Sequence, residues 1–101
     1  MRQRLKPEVR RDQILNAAIH VATVDGFDNM TRDKIALQAD VATGLVNHAF
    51  NTMTQLRRAV MRAAVNRELL SIIACGLASG DSVAHDAPEW LKRKAIDTLM
   101  G

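Results

Sequence analysis

Between Thr31 and Leu56 the apolar residues leave room for two short helices joined by a tight turn. Ile35, Ala36, Ala39, Val41 and Val46 fall at core spacing, the period of helices that bury one face. The first helix begins at Thr31, a good N-cap, with Asp33 in a first turn where the helix dipole favours negative charge. It stops near Asp40. Val41 points back to the core, a second helix covers about 42–49, and Phe50 closes it as an apolar anchor. The second helix exposes Thr43, Gly44, Asn47 and His48, short polar groups and a glycine. That is the plan of a helix-turn-helix, whose second helix enters a major groove while the first crosses the backbone.

The flanking sequence supplies the remaining elements. Residues 1–9 read as a basic arm carrying Arg2, Arg4 and Lys6. A helix from about Pro7 or Arg10 to Val24 buries Ile14, Ala18, Val21 and Ala22, and Asp25-Gly26 ends it. Thr52 can cap a long helix running from about Met53 to Leu77. Residues 78–82 read as a loop, and Pro88 to Met100 as a last helix, with Pro88 in its first turn and Asp86 or Ala87 as its cap. Apolar residues make up 48% of the chain and aromatics 3%. A core of Ala, Val, Ile, Leu and Met suits helices better than sheets.

Charge is unevenly spread. Residues 1–67 hold eleven Lys/Arg against six Asp/Glu, and residues 68–101 hold three against five. The basic excess lies with the short helices and suits a polyanion. The single cysteine, Cys75, has no disulfide partner and sits in an apolar run as a structural thiol. There is no Cys/His cluster at metal spacing and no cofactor motif. No Ser/His/Asp set, carboxylate pair or phosphate-cradling loop argues for an enzyme. His20 reads as a surface or satisfied histidine, and His85 sits in a loop without acidic or Cys partners at metal spacing. No signal peptide and no apolar run of about 18 residues stand out, so no membrane partner and a cytoplasmic location are expected.

Residues 10–56 resemble the DNA-binding domain of the TetR/AcrR family. The resemblance rests on Arg10/Arg11, Ile14-Leu15, Ala17-Ala18, Gly26-Phe27 and Ile35-Ala36, the last lying one residue further from Thr31 than usual. Val41, Gly44, Val46, Phe50 and Leu56 are in register with the family's turn and recognition helix. The departures are Asp40 for Gly, Ala42 for a Ser cap (which leaves Thr43 to cap), Asn47 for Tyr, Ala49 for His or Tyr, and Met53 for Lys.

The resemblance implies an all-α fold: a three-helix head at 10–56, then a helical dimerisation region at 57–101 made of the long helix and a short C-terminal one. It implies a homodimeric repressor reading a palindromic operator in double-stranded DNA. Base contacts are expected from Thr43, Gly44, Leu45, Asn47 and His48, since Asn pairs with adenine and Thr reaches a base or thymine methyl. Leu45 can reach a methyl or be partly buried. Thr31, Arg32, Asn51, Thr52 and Thr54 are candidates for phosphates. The arm either enters the minor groove or tracks phosphates, or is a solvated tail. Leu69, Leu70, Ile72, Ile73, Trp90 and Leu91 are expected at the dimer interface. Only 34 residues follow position 67. The chain thus reads as shortened on its C-terminal side, without the ligand cavity or small-molecule effector usual in the family. A helical protein-interaction module that kept the fold without operator binding is the alternative.

Overall fold

The computed structural model describes residues 5–100, and all regular structure among them is helical. Helix α1 spans Pro7–Asp25, a 3-10 turn Phe27–Asn29, α2 Arg32–Ala39, α3 Thr43–Ala49 and α4 Met53–Arg67. Then come α5 at Leu70–Ser79, the single turn α6 at Ser82–His85, and α7 at Glu89–Met100. Helix α1 carries Pro in its first turn, where its missing N–H costs nothing. It starts inside the expected arm, so residues 7–9 are helical. Its buried side chains, Ile14, Ala17, Ala18, Val21 and Ala22, form one stripe at helical spacing. Gly26 ends it at φ 102°, ψ 144°, a region open to glycine. The chain then tucks Phe27 and Met30 into the core.

The long helix expected from Met53 to Leu77 is two helices. Glu68 adopts a left-handed conformation, φ 56°, ψ 47°, and the Leu69 N–H donates to the Ala64 carbonyl at 2.8 Å. This is a Schellman end, in which the residue after the left-handed one folds back over the last turn. The break lets α5 turn Ile72, Ile73 and Ala74 inward. The expected loop at 78–82 is also shorter. Helix α5 continues to Ser79, Gly80 closes it at φ 80°, and Asp81 caps α6 by accepting the Ala84 N–H at 3.0 Å. The Pro88 carbonyl accepts the amides of Leu91 and Lys92 at 3.0 Å, so the helix begins just after Pro88. Lys92 donates to Glu89 at 2.8 Å and to the His85 carbonyl at 2.8 Å, tying α7 to α6. The same hydrogen bond holds the Glu89 carboxyl below its ordinary pKa.

Head and tail share one core. Ile14, Ile35, Phe50, Leu56, Met61, Ile73 and Leu91 belong to a single buried cluster. Helix α5 packs on α4 and α7 and touches α1 and the 3-10 turn. At Gly76 a methyl group would run into the end of the Met61 side chain and sit 2.9 Å from the Ala84 Cβ, so α4, α5 and α6 meet there with no space to spare. This packing corrects part of the expected dimer interface. Ile72, Ile73 and Leu91 are 0–1% exposed in the single chain, because the turn at Glu68 directs α5 into the chain's own core and α7 packs Leu91 against it. Leu69 and Leu70 are half-buried, and Trp90 is 58% exposed. No helix among the described residues is long and apolar enough to cross a membrane.

Candidate nucleic-acid interface

The turn between α2 and α3 is built from the backbone up. Thr31 caps α2, its hydroxyl oxygen accepting the Lys34 N–H at 3.2 Å. Lys34 in turn donates to the Asn29 carbonyl at 3.2 Å and lies 3.5 Å from Asp25, which ties α2 to the end of α1. At the other end Asp40 takes φ 56°, ψ 49°, and the Val41 N–H reaches the Ala36 carbonyl at 3.0 Å. Asp is among the few residues that tolerate this conformation. Val41 is thereby folded against the core, and the chain enters α3 within two further residues.

Helix α3 presents one face inward and one outward. Val46 and the closing Phe50 are buried. Gly44, Asn47 and His48 are exposed, and Thr43 and Leu45 are half-buried. At about 100° per residue, Thr43, Gly44, Asn47 and His48 share one arc of the helix, while Leu45 lies towards its edge. Leu45 lines a groove with Leu5, Arg10 and Arg11. Gly44 is informative. A Cβ built there meets nothing within 4 Å. Glycine inside a helix costs about 0.5–1 kcal/mol relative to Ala, and no neighbour among the described residues requires it. Thr43 is the first helical residue and does not cap the helix. The N-cap position belongs to Ala42, which has no side-chain oxygen to offer.

The flanks of α3 carry the candidate backbone contacts. Thr52 caps α4 by accepting the Gln55 N–H at 3.1 Å. Asn51 and Thr54 stand exposed beside it, Thr31 is exposed and Arg32 half-buried. Lys6 is exposed at the start of α1, whereas Arg2 and Arg4 lie outside the described residues.

Two features escaped the sequence reading, a group of arginines on α4 and a contact within the site. Helix α4 holds Arg57, Arg58, Arg62 and Arg67 and no acidic residue. The first three are exposed and form no ion pair among the described residues. The run of arginines without carboxylates was the available signal. The second feature is a grip from α1 on both short helices. Gln13 donates through Nε2 to the Ala39 carbonyl at 3.1 Å, and Arg10 Nη1 donates to Gln13 Oε1 at 2.9 Å. Arg11 donates through Nη1 to the Ala49 carbonyl at 2.9 Å, with its guanidinium carbon 4.1 Å from the Phe50 ring centre. Their partners lie 26 and 38 residues away, beyond any local pattern.

Other polar groups are engaged elsewhere. The His85 ring is 3.1 Å from the Leu77 carbonyl, and His20 is exposed on α1. Among the described residues no group of three or more His, Cys, Asp or Glu side chains could hold a metal ion.

A capped short helix, a left-handed turn and a second short helix with a buried inner face and an exposed polar outer face define a helix-turn-helix protein. Residues 14–60 match the family described as bacterial regulatory proteins, tetR family. The HTH-type transcriptional regulator BetI of Paraburkholderia phytofirmans is 34% identical over 55 residues, which is 54% of this chain and 28% of that protein. The matched stretch thus spans under a third of that relative. No solved structure matches the chain. Over residues 14–60 the chain is thus similar to the helix-turn-helix head of TetR-type regulators.

Proposed function

We propose that this protein binds a palindromic DNA operator as a homodimer and represses transcription by occupying it. The observation that carries the reading is the outer face of α3. Gly44 leaves open space where a side chain would stand, next to exposed Asn47 and His48 and half-buried Thr43. A nucleic-acid groove needs that: a backbone it can approach and short polar groups that reach base edges. In this reading Asn47 pairs with a base, Thr43 and Leu45 meet a base or methyl group, and His48 lies at the edge. Thr31, Arg32, Asn51, Thr52 and Thr54 hold phosphates, joined by Lys6 and by Arg2 and Arg4 of the arm.

Dimerisation is assigned to the tail. Trp90, Ile96, Leu99 and Met100 are exposed on α7, and Leu69 and Leu70 remain half-buried. A two-fold axis there would present two copies of α3 to half-sites about one helical turn apart. The reading gives these helices no small-molecule effector, because Met61, Ile72, Ile73, Ala84 and Leu91 fill the space between α4 and α7.

Selection of bound sequences from random duplex DNA tests the proposal. A palindromic consensus whose binding weakens steeply with salt is the expected result; no enriched sequence would refute it. One observation favours a second reading, a helical protein-interaction module. Leu37 on α2 and Val24 on α1 are 84% and 67% exposed and line one shallow groove. Failure of the selection would turn attention to that groove.

A further inference from the structure

Helix α3 is poorly equipped to hold its own shape. It has seven residues, a glycine inside, and an N-cap residue with no side-chain hydrogen bond. Isolated helices shorter than about 12–15 residues are marginal in water. What fixes it is tertiary: Val46 and Phe50 beneath, and Arg11 at its C-terminal end. Arg11 donates to the Ala49 carbonyl at 2.9 Å and lies over the Phe50 ring. A cation at this end also meets the negative pole of the helix dipole. Two residues along α1, Gln13 holds the last carbonyl of α2 at 3.1 Å and is itself held by Arg10 at 2.9 Å. One 19-residue helix therefore grips the C-terminal ends of both short helices.

We propose that Arg11 and Gln13 are positioning residues for operator reading, setting the pose of α3 relative to α1 without touching a base. The inference rests on the proposed DNA-reading role of α3. It explains why a helix with an uncapped start can present Thr43 and Asn47 in a fixed orientation: the pose is imposed from the far end. A side chain that positions differs from one that holds a phosphate in what its loss does. A lost phosphate contact weakens all DNA binding alike and makes the salt dependence shallower. A lost positioning contact lowers binding to the matched sequence and leaves binding to unrelated DNA in place.

Arg11→Lys and Gln13→Met test this in the full chain. The first keeps the charge but loses the planar face and the fork that serve the ring and the carbonyl. The second is similar in size, apolar, and leaves the net charge unchanged. Both are compared with the parent on an operator selected from random DNA and on an unrelated duplex, across a salt series. The expected result is a loss of about tenfold on the operator, the size of one good base contact, with unrelated binding and salt slope unchanged. Operator affinity equal to the parent's in both variants would overturn the proposal. So would equal losses on both duplexes with a shallower slope.

Amide hydrogen exchange of the free protein gives a readout independent of DNA. Faster exchange at residues 41–50 in both variants, with α4 and α5 unchanged, is expected. Parent-like protection there overturns the grip even if no operator emerges, whereas failure to select an operator refutes the DNA-reading role itself. Thermal unfolding of each variant identifies one that has simply lost its fold. If both have done so, Arg11 and Gln13 hold the whole fold and the proposal fails.

Discussion

Replacing Gly44 with alanine sets stability against function in opposite directions. Among the described residues, the added Cβ meets nothing within 4 Å beyond its own stretch of helix backbone. The helix therefore gains the intrinsic preference of Ala over Gly without a packing cost, about 0.5–1 kcal/mol. For a domain of this size about 1 kcal/mol moves the midpoint by roughly 4–8 °C, so Gly44→Ala should melt about 2–8 °C higher than the parent. Operator binding should fall, because the methyl group occupies the space left for the DNA. A loss of about 1–3 kcal/mol is expected, the scale of one mismatched base pair. Circular dichroism melts and fluorescence anisotropy on a selected operator measure the two effects on the same preparation. A lower melting point would mean that the site is crowded and the glycine is structural. A higher one with unchanged affinity would mean that nothing approaches α3 at Gly44, and the assignment of its outer face would fall.

Asn47→Ala and Thr43→Ala should each weaken operator binding by about 1–3 kcal/mol while sparing non-specific binding; two parent-like variants in competition titrations would show that the wrong face was chosen. Glu68→Gly should stabilise the protein by about 0.5–1 kcal/mol in urea titrations, since the left-handed conformation costs a non-glycine residue about 1–2 kcal/mol and glycine gives part of that back as unfolded-state entropy. The exposed Lys94–Glu68 pair at 3.7 Å, lost in that variant, offsets little. Gly76→Ala should destabilise by about 1–3 kcal/mol, as overpacking does, because the new methyl group would crowd Met61 and Ala84; an unchanged urea midpoint would show that this junction can relax.

The first half of the fold was legible in the sequence because its signals are local. Thr31 and Thr52 are caps read from their own neighbourhood, and the apolar stripe of α1 repeats at helical spacing. The break at Glu68 was not legible. Its geometry nearly duplicates the turn at Asp40, with an acidic residue left-handed and an apolar residue folded back five positions along the chain. Asp40 is marked by standing where a related pattern has glycine. Glu68 has no such marker, and Leu70 and Ile73 continue the helical spacing of Leu56, Val60 and Ala63 beyond it. Thr43 was expected as a cap because Ala42 cannot serve, but the extended backbone of Ala42 already fills that position and leaves Thr43 inside the helix. At the candidate site, the outward residues of α3 followed from the positions of Val46 and Phe50. The grip of Arg11 and Gln13 did not, because only the completed fold brings Ala39 and Ala49 to α1.

The undivided core makes the chain a poor donor for modular engineering. A fragment cut after Leu56 would strip Val60, Met61, Ala64, Ile72 and Ile73 from the cluster that also holds Ile14 and Phe50, and would leave an open apolar face. A chimera that borrows α3 for a new target should therefore be joined beyond α7. Helices α5 to α7 and the break at Glu68 then travel with the reading head, and Ala84, Leu91 and Ala95 stay in the core they share with it.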